Sequence, residues 1–283
     1  MTGAGDDLRL ALELADLADE ITLARFGAAD LRVETKPDDS PVTDADRAVE
    51  DMVRDRLAVA RPAHAVLGEE SGSSGNAEWR WIVDPIDGTK NFARGVPVWA
   101  TLLSLQHAGE ETCAVVSAPA LGRRWWAQRG EGARCNDRPL HVSSVARLED
   151  ATVSFTDVRD FAAYGWGAGF ARLAAAVRIT RGFGDFWSHM LVAEGAVDCG
   201  IEPVVNEWDI SAARLIVPPS NQVRWDGEMK VGSAEIEGEL VANLHVDHGV
   251  HVKPHGRLFG TLQAKSLVAD LGAVLSVEAR FGP

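Results

Sequence analysis

The chain is poor in cysteine: only Cys113, Cys135 and Cys199 occur in 283 residues. An odd count without CxxC or Cys/His spacing argues against a disulfide framework and a thiolate metal site, and predicts buried or half-buried free thiols in a reducing cytosol. There is no run of 18 apolar residues, which argues against a membrane-spanning helix, and Asp6 and Asp7 stand where a signal peptide would carry Lys or Arg. Positive charge is scarce too, with 28 Lys and Arg against 42 Asp and Glu and a net charge of -14. Nucleic-acid affinity comes largely from Lys and Arg displacing counterions, so this balance argues against a nucleic-acid partner. What is present, 46% hydrophobic and 25% charged residues, predicts an ordinary cytoplasmic globular protein with one large core or two modest ones.

Hydrophobic spacing supplies the elements. Leu10, Leu14, Leu17 and Ile21 recur at helical intervals and predict an amphipathic helix over 7–26. The polar stretch 34–41 reads as a loop or hairpin, and 44–60 returns to helical spacing through Ala48, Met52, Val53 and Leu57. Ala65-Val66-Leu67 is a short buried strand ending in Gly68-Glu69-Glu70, and 68–77 is a Gly/Ser-rich loop. Trp81-Ile82-Val83 is a buried strand that delivers Asp84. Residues 101–105 and 113–117 pair across the Gly109-Glu110 turn, and Trp125 to Gln128 and Gly132 continue the meander. From Ala151 the pattern alternates strand and helix, through short strands at 177–180 and 197–201 and a helix at 186–194, to an Ala-rich helix, Ile210 to Val217, opened by Asp209. This order predicts an α+β half over 1–150 and a layered α/β half over 151–229. Phe186 and Trp187 read as core.

The character then changes. Pro218-Pro219 stops the helix, and beyond Met229 apolar residues alternate with frequent Gly. Ile236-Glu237-Gly238-Glu239-Leu240 returns as Leu258-Phe259-Gly260-Thr261-Leu262, an offset of 22, and Ala242 and Val246 return as Ala264 and Val268. Two such copies suggest stacked β-rungs over 230–283, with a plain β-meander as the alternative. His245, His248, His251 and His255 fit exposed polar faces better than a metal site.

The most informative stretch is Asp84-Pro85-Ile86-Asp87-Gly88-Thr89. A hard divalent cation needs oxygen ligands from more than one direction, and a proline-fixed turn can aim Asp84, the Ile86 carbonyl and Asp87 at adjacent ions. Gly88 and Thr89 can then offer backbone N-H groups to a phosphate. An acidic chain that binds an anionic phosphate needs local positive charge, which bound divalent cations supply. Asp, Pro and Gly are equally the ordinary residues of a turn, Glu69 alone an ordinary loop carboxylate, and Asp209 alone an ordinary helix cap.

Together with Thr43-Asp44-Ala45-Asp46, Gly68-Glu69-Glu70 and Trp208-Asp209, that stretch resembles the inositol monophosphatase family of magnesium-dependent phosphomonoesterases. Within it, the likeness is to the bacterial members that act on histidinol phosphate, through Val33 to Pro37, Asn91 to Trp99, Ser117 to Trp126 and Arg181 to Trp187. It runs from about Leu8 to Val217. The resemblance implies an α/β fold, a five-layer αβαβα sandwich, with Mg2+ as cofactor, two or three ions per site. By matching position, Glu69, Asp84 and the Ile86 carbonyl would hold the first ion, and Asp84, Asp87 and Asp209 the second. Glu69 and Thr89 would orient the attacking water, with Asp46 accepting from the Thr89 hydroxyl, and Gly88 and Thr89 would grip the phosphate. Lys36 would lie near the site, while Asp185 and Glu202 would face a substrate bearing an ammonium and an imidazole. The partner is then a small phosphorylated substrate, and the assembly a homodimer.

After the Trp-Asp helix the family continues into a strand and a terminal helix, of which only 221–227 is a candidate remnant. The tail instead resembles the right-handed β-helical bactofilins, which implies further assembly through it. A phosphatase acting on inositol phosphate or another small molecule, and a truncated inactive phosphatase fused to a β-rich assembly module, are the alternatives.

Overall fold

Leu102 and Leu103 are sequence neighbours and both buried, yet they belong to different cores. The pleat of a strand sends successive side chains to opposite faces, so a strand covered on both sides reads as one continuous apolar run. The computed structural model describes residues 4–37, 39–218, 223–231, 234–236, 239–246, 248–252, 257–269 and 274–281.

The first half comprises helix α1 (Ala4–Arg25), the hairpin β1 (Val33–Thr35) and β2 (Pro41–Thr43), helix α2 (Asp44–Ala60), and strands β3 (Ala65–Gly68), β4 (Gly72–Ser74) and β5 (Trp79–Asp87). Helix α3 (Thr89–Ala93) follows, then β6 (Ala100–His107), β7 (Glu110–Ala118), β8 (Arg123–Gln128), β9 (Gly132–Cys135) and β10 (Arg138–Pro139). Apart from the β1–β2 pair, these strands form one sheet ordered β10-β9-β8-β7-β6-β5-β3-β4, antiparallel except for β3 against β5. The expected hairpin near 34–41 is present, and the 68–77 loop contains the short strand β4. On one face, Leu14, Ala15 and Ala18 of α1 and Val49, Val53 and Leu57 of α2 pack on Trp81, Val83, Leu103 and Leu105.

The second half comprises β11 (Thr152–Phe155), α4 (Val158–Ala163), α5 (Gly167–Ala176), β12 (Ile179–Arg181), α6 (Asp185–Ala193), β13 (Cys199–Ile201) and α7 (Glu207–Ile216). Phe186 and Met190 of α6 and Ala212 and Ile216 of α7 fill the other face of the large sheet, against Leu102, Val116 and Trp125. Beyond α6 lies the parallel sheet β12-β11-β13, and Phe155 of β11 meets Phe170 of α5, which stacks on Phe161 of α4. The order helices, sheet, helices, sheet, helices is the expected αβαβα sandwich, and Phe186 is core as the spacing implied. Of the three free thiols, Cys113 and Cys135 are buried, but Cys199 on an edge strand is exposed, against the expectation from composition. Among the described residues, no helix is long and apolar enough to cross a membrane.

The tail consists of β14 (Val223–Val231), β15 (Ala234–Ile236), β16 (Glu239–Val246), β17 (Gly249–Val252), β18 (Arg257–Ala264), β19 (Ser266–Ala269) and β20 (Val274–Phe281). Strands β14, β16, β18 and β20 form one parallel sheet, and β15, β17 and β19 another. A meander would pair antiparallel, so stacked rungs are the correct alternative. The repeat is corrected: Leu240 aligns with Leu258 at an offset of 18 residues, and Ile236 pairs with Val252 in the other sheet rather than recurring as Leu258. Apolar alternation along each strand is the same at either offset, so a sequence match can slip where hydrogen bonding cannot. Leu244, Val246, Val250, Val252, Leu258 and Leu262 form the tail's buried interior. Between them His245 and His251 are half-buried, His248 is exposed, and His255 lies outside the described residues. Of the candidate remnant 221–227, residues 221 and 222 lie outside the described residues, and the rest belong to β14, which pairs with β16.

Candidate active site

Strand β5 carries the Asp-Pro-Ile-Asp turn on its last residues. Asp84 sits opposite Leu102 of β6 and Asp87 opposite Ala100, so β5 holds one extra residue there. Such a bulge bends the strand and redirects its side chains, and Pro85, which has no N-H to lose, suits it. The Thr101 hydroxyl donates to the Pro85 carbonyl at 2.8 Å, and the Ile86 side chain is fully buried with Ala45, Phe92 and Trp99. Gly88 follows with φ +86, and a Cβ there would meet the Val98 carbonyl oxygen at 3.0 Å and Asp185 Oδ2 at 3.5 Å. Only glycine combines that backbone with that close approach.

Asp84 is 1% exposed and its Oδ1 has no hydrogen-bond partner. Burial pushes its carboxyl well above the usual range, and the charges of Glu69, Asp87, Asp209 and Asp46 push it further. Burial does the same to Asp87, helped by Asp185, Asp209 and Glu202. Asp46 and Asp209 rise to about 6, again mainly through burial, with Glu69 adding to both. The acidic residues of all four sequence fragments therefore share one electrostatic neighbourhood.

Glu69, Asp46, Asp209 and Asp87 each have a local anchor. Glu69 leaves the end of β3, its N-H donating to the Val83 carbonyl at 3.2 Å. Lys36 Nζ reaches it from the β1–β2 connection at 2.7 Å and Glu70 at 2.6 Å. Burial opposes the Lys36 charge, but these two carboxylates outweigh it and raise the ammonium's pKa. The buried Glu50 of α2 accepts from the backbone N-H of Glu70 at 2.7 Å and of Ser71 at 3.0 Å, fixing the turn on which Glu69 stands.

Asp46 is the third residue of α2 and closes a capping box with Thr43, whose N-H and hydroxyl donate to Oδ2 at 2.8 and 2.5 Å. Its Oδ1 lies 3.3 Å from the Thr89 hydroxyl, which has a shorter contact, 2.8 Å, to the Ile86 carbonyl. A hydroxyl has one proton, so these two acceptors compete for it. Helix α7 begins at Glu207, so Asp209 is its third residue rather than its opening one. There Asp209 closes a capping box by accepting from the Asn206 N-H at 2.6 Å. The cap itself is Asn206, and Asp209 completes the box from inside the helix. Asp87 Oδ2 accepts from the Phe186 N-H at the start of α6.

Among the described residues, no three His, Cys, Asp or Glu side chains are posed to hold one ion together. Glu69, Asp87 and Asp209 turn instead to Lys36 and to the N-H groups of Phe186 and Asn206. The donor set still suits a hard divalent cation: it is all oxygen, mutually repulsive and half-buried around the buried Asp84, whose Oδ1 is orphaned.

Of the expected substrate residues, Asp185 adopts φ +48 and places Oδ2 beside Gly88. Burial raises its carboxyl, with Lys90 opposing. Glu202 Oε1 accepts from the Thr156 hydroxyl at 2.7 Å and lies 3.8 Å from His189 Nε2. Burial lifts Glu202 to about 7, and Asp185 and Asp209 add to the rise. Lys36 grips the Glu69 and Glu70 carboxylates. Sequence reasoning missed Glu50 and Thr156, which act from a distance along the chain and belong to no local pattern.

The sequence profile described as the inositol monophosphatase family matches residues 6–263, past the point near 217 where the motifs end. A histidinol-phosphatase of Mycobacterium tuberculosis is 56% identical over 218 residues, covering 75% of this chain and 84% of that protein. A histidinol-phosphatase of Streptomyces coelicolor is 49% identical over 221 residues, covering 75% and 83%. In structure, the extragenic suppressor protein suhB of Bartonella henselae superposes with a TM-score of 0.68 at 31% identity, over 76% of this chain and 84% of that one. With this profile match, these identities and the sandwich already described, the chain belongs to the inositol monophosphatase family.

Proposed function

We propose that the protein is a Mg2+-dependent phosphomonoesterase that hydrolyses L-histidinol phosphate to L-histidinol and phosphate, a step of histidine biosynthesis. The observation that carries this reading is the carboxylate cluster in which the buried Asp84 feels the charges of Glu69, Asp87 and Asp209, and Asp87 those of Asp185 and Glu202. The names of the two histidinol-phosphatases support the substrate. Glu69, Asp84 and the Ile86 carbonyl would hold one cation and Asp84, Asp87 and Asp209 the other. Two bound divalent cations supply charge stabilisation of the entering and leaving oxygens and a readier proton loss from the attacking water.

The chain's own residues do the rest. Backbone N-H groups of the Gly88-Thr89 turn bind the phosphate and orient it for in-line attack. Glu69 and the Thr89 hydroxyl align the water, and Asp46, 3.3 Å from that hydroxyl, accepts a hydrogen bond from it in competition with the Ile86 carbonyl. Lys36 Nζ holds Glu69 at 2.7 Å, a positive partner of the kind that a bound cation would supply in its place. On the leaving side, Asp185 and Glu202 offer negative charge to the ammonium and imidazole of the substrate. The same reading carries a homodimer and a cytoplasmic location.

The test is a phosphate-release screen over histidinol phosphate, inositol phosphate, a 3'-phosphorylated nucleotide and the small unselective ester phenyl phosphate, with and without magnesium, on the wild type and on Asp185→Ala. Histidinol phosphate is expected to be the preferred substrate. Its kcat/KM is expected to fall at least about tenfold in Asp185→Ala, the loss of a charge-assisted contact. A small unselective ester should be spared. Equal loss on both esters would remove the case for this substrate.

A further inference from the structure

The two carboxylates assigned to the substrate are joined by one side chain. Thr156 follows β11, and its hydroxyl donates to Glu202 Oε1 at 2.7 Å while accepting the Asp185 N-H at 3.0 Å. A hydroxyl has one donor and two acceptor positions, so both bonds form at once. Asp185 is a non-glycine residue in the left-handed region, φ +48, a conformation that persists only where its surroundings fix it. The fixing is visible on both sides: the Asp185 N-H is taken by Thr156 and the next N-H, of Phe186, by Asp87. Gly184, at φ +73, lets this loop close on Thr156, for a Cβ there would lie 3.4 Å from Thr156 Cα and Cγ2. On its other side Glu202 faces His189 at 3.8 Å, a ring whose burial disfavours its charged form. A neutral imidazole leaves the hydroxyl as the stronger tether of the Glu202 carboxylate.

We infer that Thr156 is a positioning residue for specificity: its hydroxyl clamps Asp185 and Glu202 into one fixed pair that recognises the cationic end of an amine-bearing phosphate ester. This inference rests on the proposed substrate class but concerns a residue outside the motifs that suggested it. Thr156 is exposed, and valine keeps its β-branched shape while removing the hydroxyl.

The experiment compares Thr156→Val and Thr156→Ser with wild type, at saturating magnesium, on histidinol phosphate and on phenyl phosphate, which lacks an amine. With Val, KM for histidinol phosphate is expected to rise about tenfold, as for one hydrogen bond to a charged group, with kcat changed less than about threefold. Phenyl phosphate kcat/KM should stay within about twofold, and Ser should restore the histidinol phosphate KM. An unchanged KM in Val, equal loss on both esters, or failure of Ser to restore KM would overturn the inference. If the wild type prefers another phosphate ester, the substrate reading fails. The clamp is then judged on that ester by the same Val and Ser pair: a KM loss rescued by Ser upholds it, and none overturns it.

Discussion

Replacing Gly68 with Ala tests how the Glu69 turn is held. Gly68 ends β3, and a Cβ there would lie 2.4 Å from Glu50 Cδ and 2.5 and 2.6 Å from its oxygens. Glu50 is fully buried, so it cannot swing into solvent to make room. It must give up its bonds to the Glu70 and Ser71 N-H groups, at 2.7 and 3.0 Å, and its 2.8 Å pair with Arg54. Each hydrogen bond to a charged group is worth about 1.5–3 kcal/mol, and stripping a buried charge of its partners costs about 3–5 kcal/mol. Gly68→Ala should therefore lose about 3–5 kcal/mol in urea unfolding of chelator-treated protein, compared by midpoint at constant slope. Because Glu69 is the next residue, the magnesium concentration for half-maximal phosphate release should also rise about tenfold, as when a residue supporting a metal ligand is disturbed. A loss under about 1 kcal/mol with unchanged half-saturation would refute the claim that Glu50 sets Glu69, because the close approach would then be absorbed without cost.

Three further outcomes follow from the same structure. Folding raises Asp46 and Asp209 from 3.8 to about 6 and Glu70 and Glu202 from 4.5 to about 7. Between those limits the folded chain keeps protons that the unfolded chain has lost, so stability falls as pH rises through this window. Chelator-treated protein should melt lower at pH 8 than at pH 5.5, and magnesium should raise the melting temperature more at pH 8, where Asp209 has lost its proton; the reverse order in either comparison contradicts the upward shift of these carboxyls. In the tail, Leu258→Ala removes a fully buried side chain from the interior shared with Leu244, Val252 and Leu262, and should cost about 2–5 kcal/mol. Hydrogen exchange in β16 and β18 should report that loss, and unchanged protection would contradict the stacked interior. In Arg80→Met, the pair that holds Glu207 at the start of α7 is lost, so magnesium half-saturation should rise while phosphate release at saturating magnesium survives; no change would show that Asp209 is placed without it.

What could be read in advance follows physical lines. Residues 44–60 were legible as a helix because Ala48, Met52, Val53 and Leu57 recur near its period, a local signal, although Ala48 is exposed and the buried stripe runs instead through Val49, Val53 and Leu57. The β5 turn was legible because Pro85 fixes its own backbone and Gly88 permits a positive φ that other residues rarely take, whatever surrounds them. The start of α7 was misplaced because Asp209 is as good at the third helical position as at the cap, and only the backbone shows which it takes. The tail's rung length was misread because apolar alternation specifies faces and leaves register to hydrogen bonding. Glu50 and Thr156 were invisible for a different reason: each acts on groups 20 or more residues away, and no spacing rule reaches that far.

The central claim is that acidic residues from four separate stretches act as one cation-dependent phosphatase site around Asp84. The measurement that tests it most directly is steady-state phosphate release from histidinol phosphate, with magnesium titrated against a chelator, in the wild type and in Asp84→Asn. The account predicts release that vanishes without magnesium and falls at least about a thousandfold in the variant, since the one shared ligand is neutralised while the fold, relieved of a buried repelled charge, is kept. Release that persists in chelator, or a folded Asp84→Asn protein within tenfold of wild type, would contradict it.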